Sequence, residues 1–207
     1  MHTTWIYARE SLARIEMEYI RNFFRESDRH FKQKLSELQA QAQAEERDAP
    51  LSEDAVDHYV DLRDEIEGFG QLNRYFAIAQ AYSIMEQAFA SIITDAIDEG
   101  TLAGDDWARV RSRFPDAASF KRGFRSLRIV LSPQDASAWP ALGKKRNIIL
   151  HRSGRFEVHQ GGFVQIRQLE FTEAEVEAAL DMALRCAQSA LRQYRALRTA
   201  PGAGPSR

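Results

Sequence analysis

Arg146, Asn147 and His151 stand within one short run, Arg-Asn-Ile-Ile-Leu-His. Arginine presents a planar fork that grips phosphate or carboxylate through two parallel hydrogen bonds. Histidine gives or takes a proton near neutral pH. On a helical wheel of about 100° per residue, Trp139, Leu142, Ile149 and Leu150 mark an apolar face, and Arg146 falls about 20° from Trp139. A charge there needs a partner or a cavity, because an unpaired buried charge is costly. Asn147 and His151 are four apart and share one flank of the same helix. Glu86 is a second charge in an apolar stripe, about 40° from Leu72 on its own helix. It is the candidate partner for Arg146 or His151. A structural ion pair without chemistry fits the same pattern.

The surroundings are basic. Residues 121–155 hold nine basic side chains and one acid, Asp135, a local charge of +8 in a chain of net charge −2. Such asymmetry suits a phosphate-binding patch. Lys144, Lys145, Arg152 and Arg155 lie nearest the motif and are the candidate phosphate contacts. Residues 45–67 are the opposite, with ten acids against Arg47 and Arg63, a local charge of −8. An acidic run of this kind is usually a solvated face, and a second reading has it covering the basic segment in cis. No metal-ligand cluster, P-loop or dinucleotide loop stands beside these residues, so neither a metal nor a cofactor is expected. Cys186 has no base near it in sequence and reads as core packing.

The elements that must position these groups are helices. Leu12, Ile15, Tyr19 and Phe23, continued by Phe24, Phe31, Leu35, Leu38 and Ala42, predict a long amphipathic helix over 5–46. Pro50 and Ser52 mark a break and a restart. Leu72, Tyr75, Phe76, Ala79, Tyr82, Phe89, Ile93 and Ile97 predict a helix over 72–98 that stops at Gly100. A loop with a short helix near Trp107 follows, then helices over 117–131 and about 135–151. Alternation around Gly161-Gly162 predicts a small β-hairpin or extended loop over 155–170. Thr172 to Glu175 is a capping box, with Phe171 and Val176 as its hydrophobic staple. Val176, Leu180, Ala183, Ala187, Leu191 and Tyr194 form the inner stripe of the last helix. The tail, 199–207, reads as disordered.

With 207 residues, 44% hydrophobic, the chain can build one sizeable core. Six prolines and eleven glycines favour long regular elements over a turn-rich β fold. The lone cysteine excludes an internal disulfide framework and points to a reducing cytoplasm. Charges at Arg9, Glu10 and Arg14 interrupt any signal-peptide core, and no apolar run is long enough to span a membrane.

Arg146-Asn147-x-x-x-His151, with Gly154 three residues on, resembles the R-x4–6-H motif of the HEPN domain superfamily. His30 with Arg25 and His159 with Arg152 satisfy a loose form of the pattern, but only Arg146–His151 closes a helix late in the chain, before a loop and a long final helix. The resemblance covers about 70–198. It implies an all-α fold, a HEPN-like bundle of four to five helices at 67–198; it does not explain residues 1–66, which read as an N-terminal helical extension. It also implies a metal-independent endoribonuclease, toxin-like or antiviral, cutting RNA through its own 2′-hydroxyl. Arg146, Asn147 and His151 would be catalytic, with Glu86 supporting. Two protomers would face their motifs, so a homodimer is expected, with an antitoxin or defence-system protein as a further partner. A non-catalytic module that binds RNA, a nucleotide or a protein is the alternative. In the branch whose antitoxin adenylylates a tyrosine two residues after the histidine, that position is tyrosine; here it is Ser153.

Overall fold

The computed structural model describes residues 3–102, 117–160 and 163–199. Among them are five helices: α1 (Thr3–Asp48), α2 (Glu53–Asp98), α3 (Ala117–Ser126), α4 (Pro133–Arg152) and α5 (Glu173–Thr199). Strands β1 (Arg155–Gln160) and β2 (Phe163–Gln168) pair antiparallel, with Arg155 opposite Gln168 and Gln160 opposite Phe163. The fold is all-α with one small hairpin before the last helix. The short helix expected near Trp107, the turn glycines Gly161 and Gly162, and the tail beyond Thr199 lie outside the described residues. No helix among the described residues is long and apolar enough to cross a membrane.

Local signals set most helix ends. The Ser52 side chain accepts from the Ala55 N–H at 3.3 Å, and Ser132 accepts from Asp135 at 3.1 Å. Each satisfies a donor that the first turn leaves without a helical partner. Thr172 and Glu175 form the reciprocal capping box, and the stapling pair Phe171 and Val176 is buried. Gly100 adopts φ 69° and donates to Ile97 at 2.9 Å, stopping α2 where expected. Helix α3 ends earlier than the expected 131, because Arg128 turns into the left-handed region at φ 55°.

The core sits where α1, α2 and α5 pack together, closed at one end by α3 and α4. Phe89 is its aromatic centre, edge-on to Phe120, Phe124 and Trp139. The stripe expected on α5 is buried throughout. The stripe expected on α1 is buried only in part: Phe24 is, but Leu12, Ile15, Tyr19 and Phe23 are exposed, Tyr19 at 72%. The buried line is Ile6, Ala13, Met17, Ile20 and Phe24, followed by Asp28, only 2% exposed and bonded to Arg74 at 2.9 Å. Leu72 and Phe76 on α2 are likewise exposed.

Helix α2 runs through residues 66 and 67 without a break, and the first half of α1 belongs to the single core. The boundary expected at 66/67 therefore falls inside one continuous helix. What stands apart from the bundle is the far half of the α1–α2 hairpin. From residue 29 to 69 no described side chain is buried.

Candidate functional site

Helix α4 carries the motif, and its position is fixed at two points. Near its middle, Gly143 lies against Tyr82 of α2. A Cβ on Gly143 would sit 2.6 Å from the Tyr82 hydroxyl, so only glycine lets the helices approach this closely. At its C-terminus, Ser153 takes a left-handed conformation at φ 50°, and its N–H donates to the Ile148 carbonyl. Gly154 follows at φ 80°, pressed on the Tyr75 ring, and its N–H also reaches Ile148, at 3.1 Å. The Gly154 carbonyl accepts from Leu169, and the Tyr75 hydroxyl donates to the Leu169 carbonyl. His151 thus stands on the last turn of a helix clamped to α2 and to the hairpin exit.

Arg146 is half-buried between α4 and α2. Its guanidinium lies over the Tyr82 ring, 5.8 Å from the centroid, and donates to Asn147 Oδ1 at 3.0 Å. Its Nε is buried without a hydrogen-bond partner. Glu86, one turn beyond Tyr82, is buried at 8% exposure. Burial pushes the Glu86 carboxyl above its usual range; the Arg146 charge and the Tyr82 hydroxyl work against that shift. Burial also raises the Tyr82 hydroxyl, with the Glu86 charge adding to it. That hydroxyl accepts from Trp139 Nε1 at 3.2 Å. The result is a chain of polar groups, Trp139, Tyr82, Glu86 and Arg146, set into an apolar seam. Glu86 answers Arg146 through charge and not through a close ion pair of the kind Asp28 makes with Arg74.

Asn147 and His151 are exposed on the flank where Lys144 also lies. Lys145 and Arg152 occupy the other flank, about 80–100° further round the helix. Lys145 is half-buried, its ammonium 5.0 Å from the Phe171 ring centroid. Arg155 is exposed at the start of β1. The four candidate phosphate contacts therefore form two sides of a helix end and not one row.

The wider basic segment is free to meet an anion. Lys121, Arg122, Arg125, Arg128, Lys144, Arg152 and Arg155 are exposed, and among the described residues none makes an ion pair. Elsewhere arginines are answered by acids: Arg21 and Arg25 by Glu177, Arg74 by Asp28, Arg192 and Arg195 by Glu10. No ion pair joins the basic segment to the acidic run 45–67 among the described residues, so the structure holds no cis cover of one by the other.

His30 lies exposed on the far half of α1, and His159 on β1 stands 3.9 Å from Glu157. Neither closes a helix beside the Arg146–Tyr82 stack, as His151 does on the last turn of α4. Cys186 is buried 3.5 Å from Met182 Sδ, and burial pushes its thiol up to about 12, far from a reactive thiolate. No group of three or more His, Cys, Asp or Glu among the described residues could hold a metal ion.

Sequence reasoning missed Tyr82 and Gly143 as site residues. Tyr82 read as one more core aromatic. The available signal was a tyrosine, with a hydroxyl to satisfy, one turn before Glu86 on the same helix. No family model, curated protein or solved structure matches the chain.

Proposed function

We propose that the protein is a metal-independent endoribonuclease of the HEPN type. One observation carries this reading. Arg146 is held over Tyr82 beside buried Glu86 and reaches Asn147, while His151 stands exposed one turn on at a clamped helix end.

The chemistry follows from these residue types. RNA carries its own nucleophile, the 2′-hydroxyl. It attacks the neighbouring phosphorus, the P–O5′ bond breaks, and a 2′,3′-cyclic phosphate and a free 5′-hydroxyl result. One proton leaves the 2′-oxygen and one reaches the 5′-oxygen. His151 serves one of these transfers. Arg146 stabilises charge gathering on the phosphate oxygens, and Asn147 orients the fork.

A single His151 serves one of two transfers, so the site is complete only with a second copy. The exposed apolar surface supports this. Leu72, Phe76, Ala79, Ser83 and Glu86 follow one another at steps of three and four, so the Glu86 stripe runs outward into Phe76 and Leu72. The Phe76 ring is edge-on to Phe23 at 5.8 Å, and Leu150 is 51% exposed on the motif helix itself. These exposed apolar side chains are the kind of surface that a second copy would cover.

RNA incubated with the protein in excess EDTA should yield 2′,3′-cyclic phosphate ends, and His151→Ala should abolish them. The exposed His151 has no hydrogen-bond partner among the described residues, which favours the second reading, a module that binds RNA without cutting it. In that case RNA stays intact, binding persists in His151→Ala and weakens steeply with salt.

A further inference from the structure

The groove between α1 and α2 is filled along only part of its length. In the bundle, α5 lies in it. Glu177 bonds Arg21 and Arg25, Glu10 holds Arg192 and Arg195, and Glu173 at the start of α5 reaches Lys32. There α5 begins, but α1 continues for sixteen residues to Asp48. At 1.5 Å per residue that is about 24 Å of uncovered hairpin.

The apolar line does not stop where α5 does. Phe24 and Asp28 on α1 are followed at helical steps by Phe31, Leu35, Leu38 and Ala42. Leu35, Leu38, Ala42, Val56, Tyr59 and Val60 line an open groove of about 580 Å³. Val56 is 45% exposed and Val60 39%. Two helices with no buried side chain between residues 29 and 69 lack a third layer that would dry their seam.

Charge identifies the kind of layer. Along the part of α5 nearest the arm, the α1 wall is basic (Arg21, Arg25, Lys32) and α5 meets it with Glu173, Glu177 and Asp181. Beyond residue 45 the sign reverses. Glu53, Asp57, Asp64 and Glu67 share the Val60 stripe of α2 at steps of three and four. Arg63 is the one cation on that side, and it is already engaged by Asp64 and Glu67. The segment 45–67 carries −8. A second copy's arm would bring the same sign, and a nucleic acid is itself a polyanion, so both are repelled.

We propose that the α1–α2 arm is a docking site for a basic amphipathic helix of a protein partner. That helix would lie in line with α5, about four turns long, with apolar residues on the Leu38–Val60 seam and lysines or arginines toward the acidic rim. This is the helix-in-groove mode of recognition. It stands independently of the ribonuclease reading.

The test uses the full chain and three fluorescent 16-residue peptides: a Leu/Lys amphipathic helix, a Leu/Glu helix of the same pattern, and a Ser/Lys peptide of the same charge. The expected result is binding of the Leu/Lys peptide at about 10–100 µM in low salt, with both controls at least about tenfold weaker. Leu38→Ser with Val60→Ser leaves every charge in place and should weaken the Leu/Lys peptide about tenfold or more, while Ile166→Ser on the exposed hairpin leaves it unchanged. To guard against an arm that fails to fold in the double variant, Gln39→Cys carries an environment-sensitive dye; buried Cys186 stays unlabelled. Its emission should shift blue on adding Leu/Lys peptide. Equal binding of the three peptides, binding without a dye shift, or a dye shift driven by protein concentration alone would each overturn the proposal, the last because a second copy would then cover the seam.

Discussion

Arg146 and His151 at the candidate site differ in how much support surrounds them. Arg146 rests on Tyr82 and beside Glu86; His151 stands alone in solvent on a fixed helix end. His151→Ala should therefore leave the thermal midpoint unchanged and lower RNA cleavage by about 10²–10⁴-fold, the usual weight of a proton-transfer group. Arg146→Lys keeps the charge but loses the fork, and cleavage should fall about 10²-fold. Glu86 behaves differently. Its folded-state pKa is raised by burial, so its favourable contribution to stability is present below the ordinary carboxyl range and is lost as pH rises through the raised value. Glu86→Gln should flatten the decline of the melting temperature on the alkaline side of that range. An unchanged slope in a pH series of thermal melts would contradict this. Both charges were legible in the sequence because each broke an apolar stripe. Tyr82 was not, because an aromatic inside such a stripe breaks nothing.

Between helices, closeness depends on small residues. Gly143→Ala places a methyl 2.6 Å from the Tyr82 hydroxyl, on a ring too buried to swing away. The gain in helix propensity, up to about 1 kcal/mol, is outweighed by an overpacking cost of about 1–3 kcal/mol. Tyr82→Phe in that background should recover part of the loss, so the two changes should couple in a double-mutant cycle read by denaturant unfolding. Gly154→Ala combines a left-handed φ with a Cβ at 2.4 Å from Tyr75 and should destabilise by about 2–4 kcal/mol. Helix α1 shows where element-level reading stops. It carries two apolar stripes, and the one with the larger side chains, Leu12, Ile15, Tyr19 and Phe23, was the more visible. The buried one contains Ala13 and continues into Asp28, a charge that a stripe-reading rejects unless it knows that Arg74 waits across the seam. The Thr172–Glu175 capping box was legible, because it is a local pair that no tertiary contact overrides; the Ser132 cap of α4 was not read.

As a whole, the molecule is one bundle with an arm, and its surface separates into an apolar face near Glu86, a basic segment around α3 and α4, and an acidic arm. The apolar face carries a prediction at this scale. Phe76→Asp should abolish the proposed pairing of two copies in light scattering, and cleavage should fall with it. A wild-type monomer that cuts RNA at full rate would refute the paired site. The continuity of α2 was not legible, because the composition shift near residue 67 marks a change of neighbours and not a change of element: α5 ends its cover there, and the helix goes on.

The pairing of Glu10 with Arg192 and Arg195 joins the two ends of the chain across more than 180 positions. The side of α1 that faces α5 is covered only after α5 has been made. During synthesis, the first hairpin therefore waits with its seam open while about half the chain is still to come. Contacts that close so late carry a large loop-closure entropy, so folding should be slow for an all-helical protein, with the order of events set by the last helix and not the first.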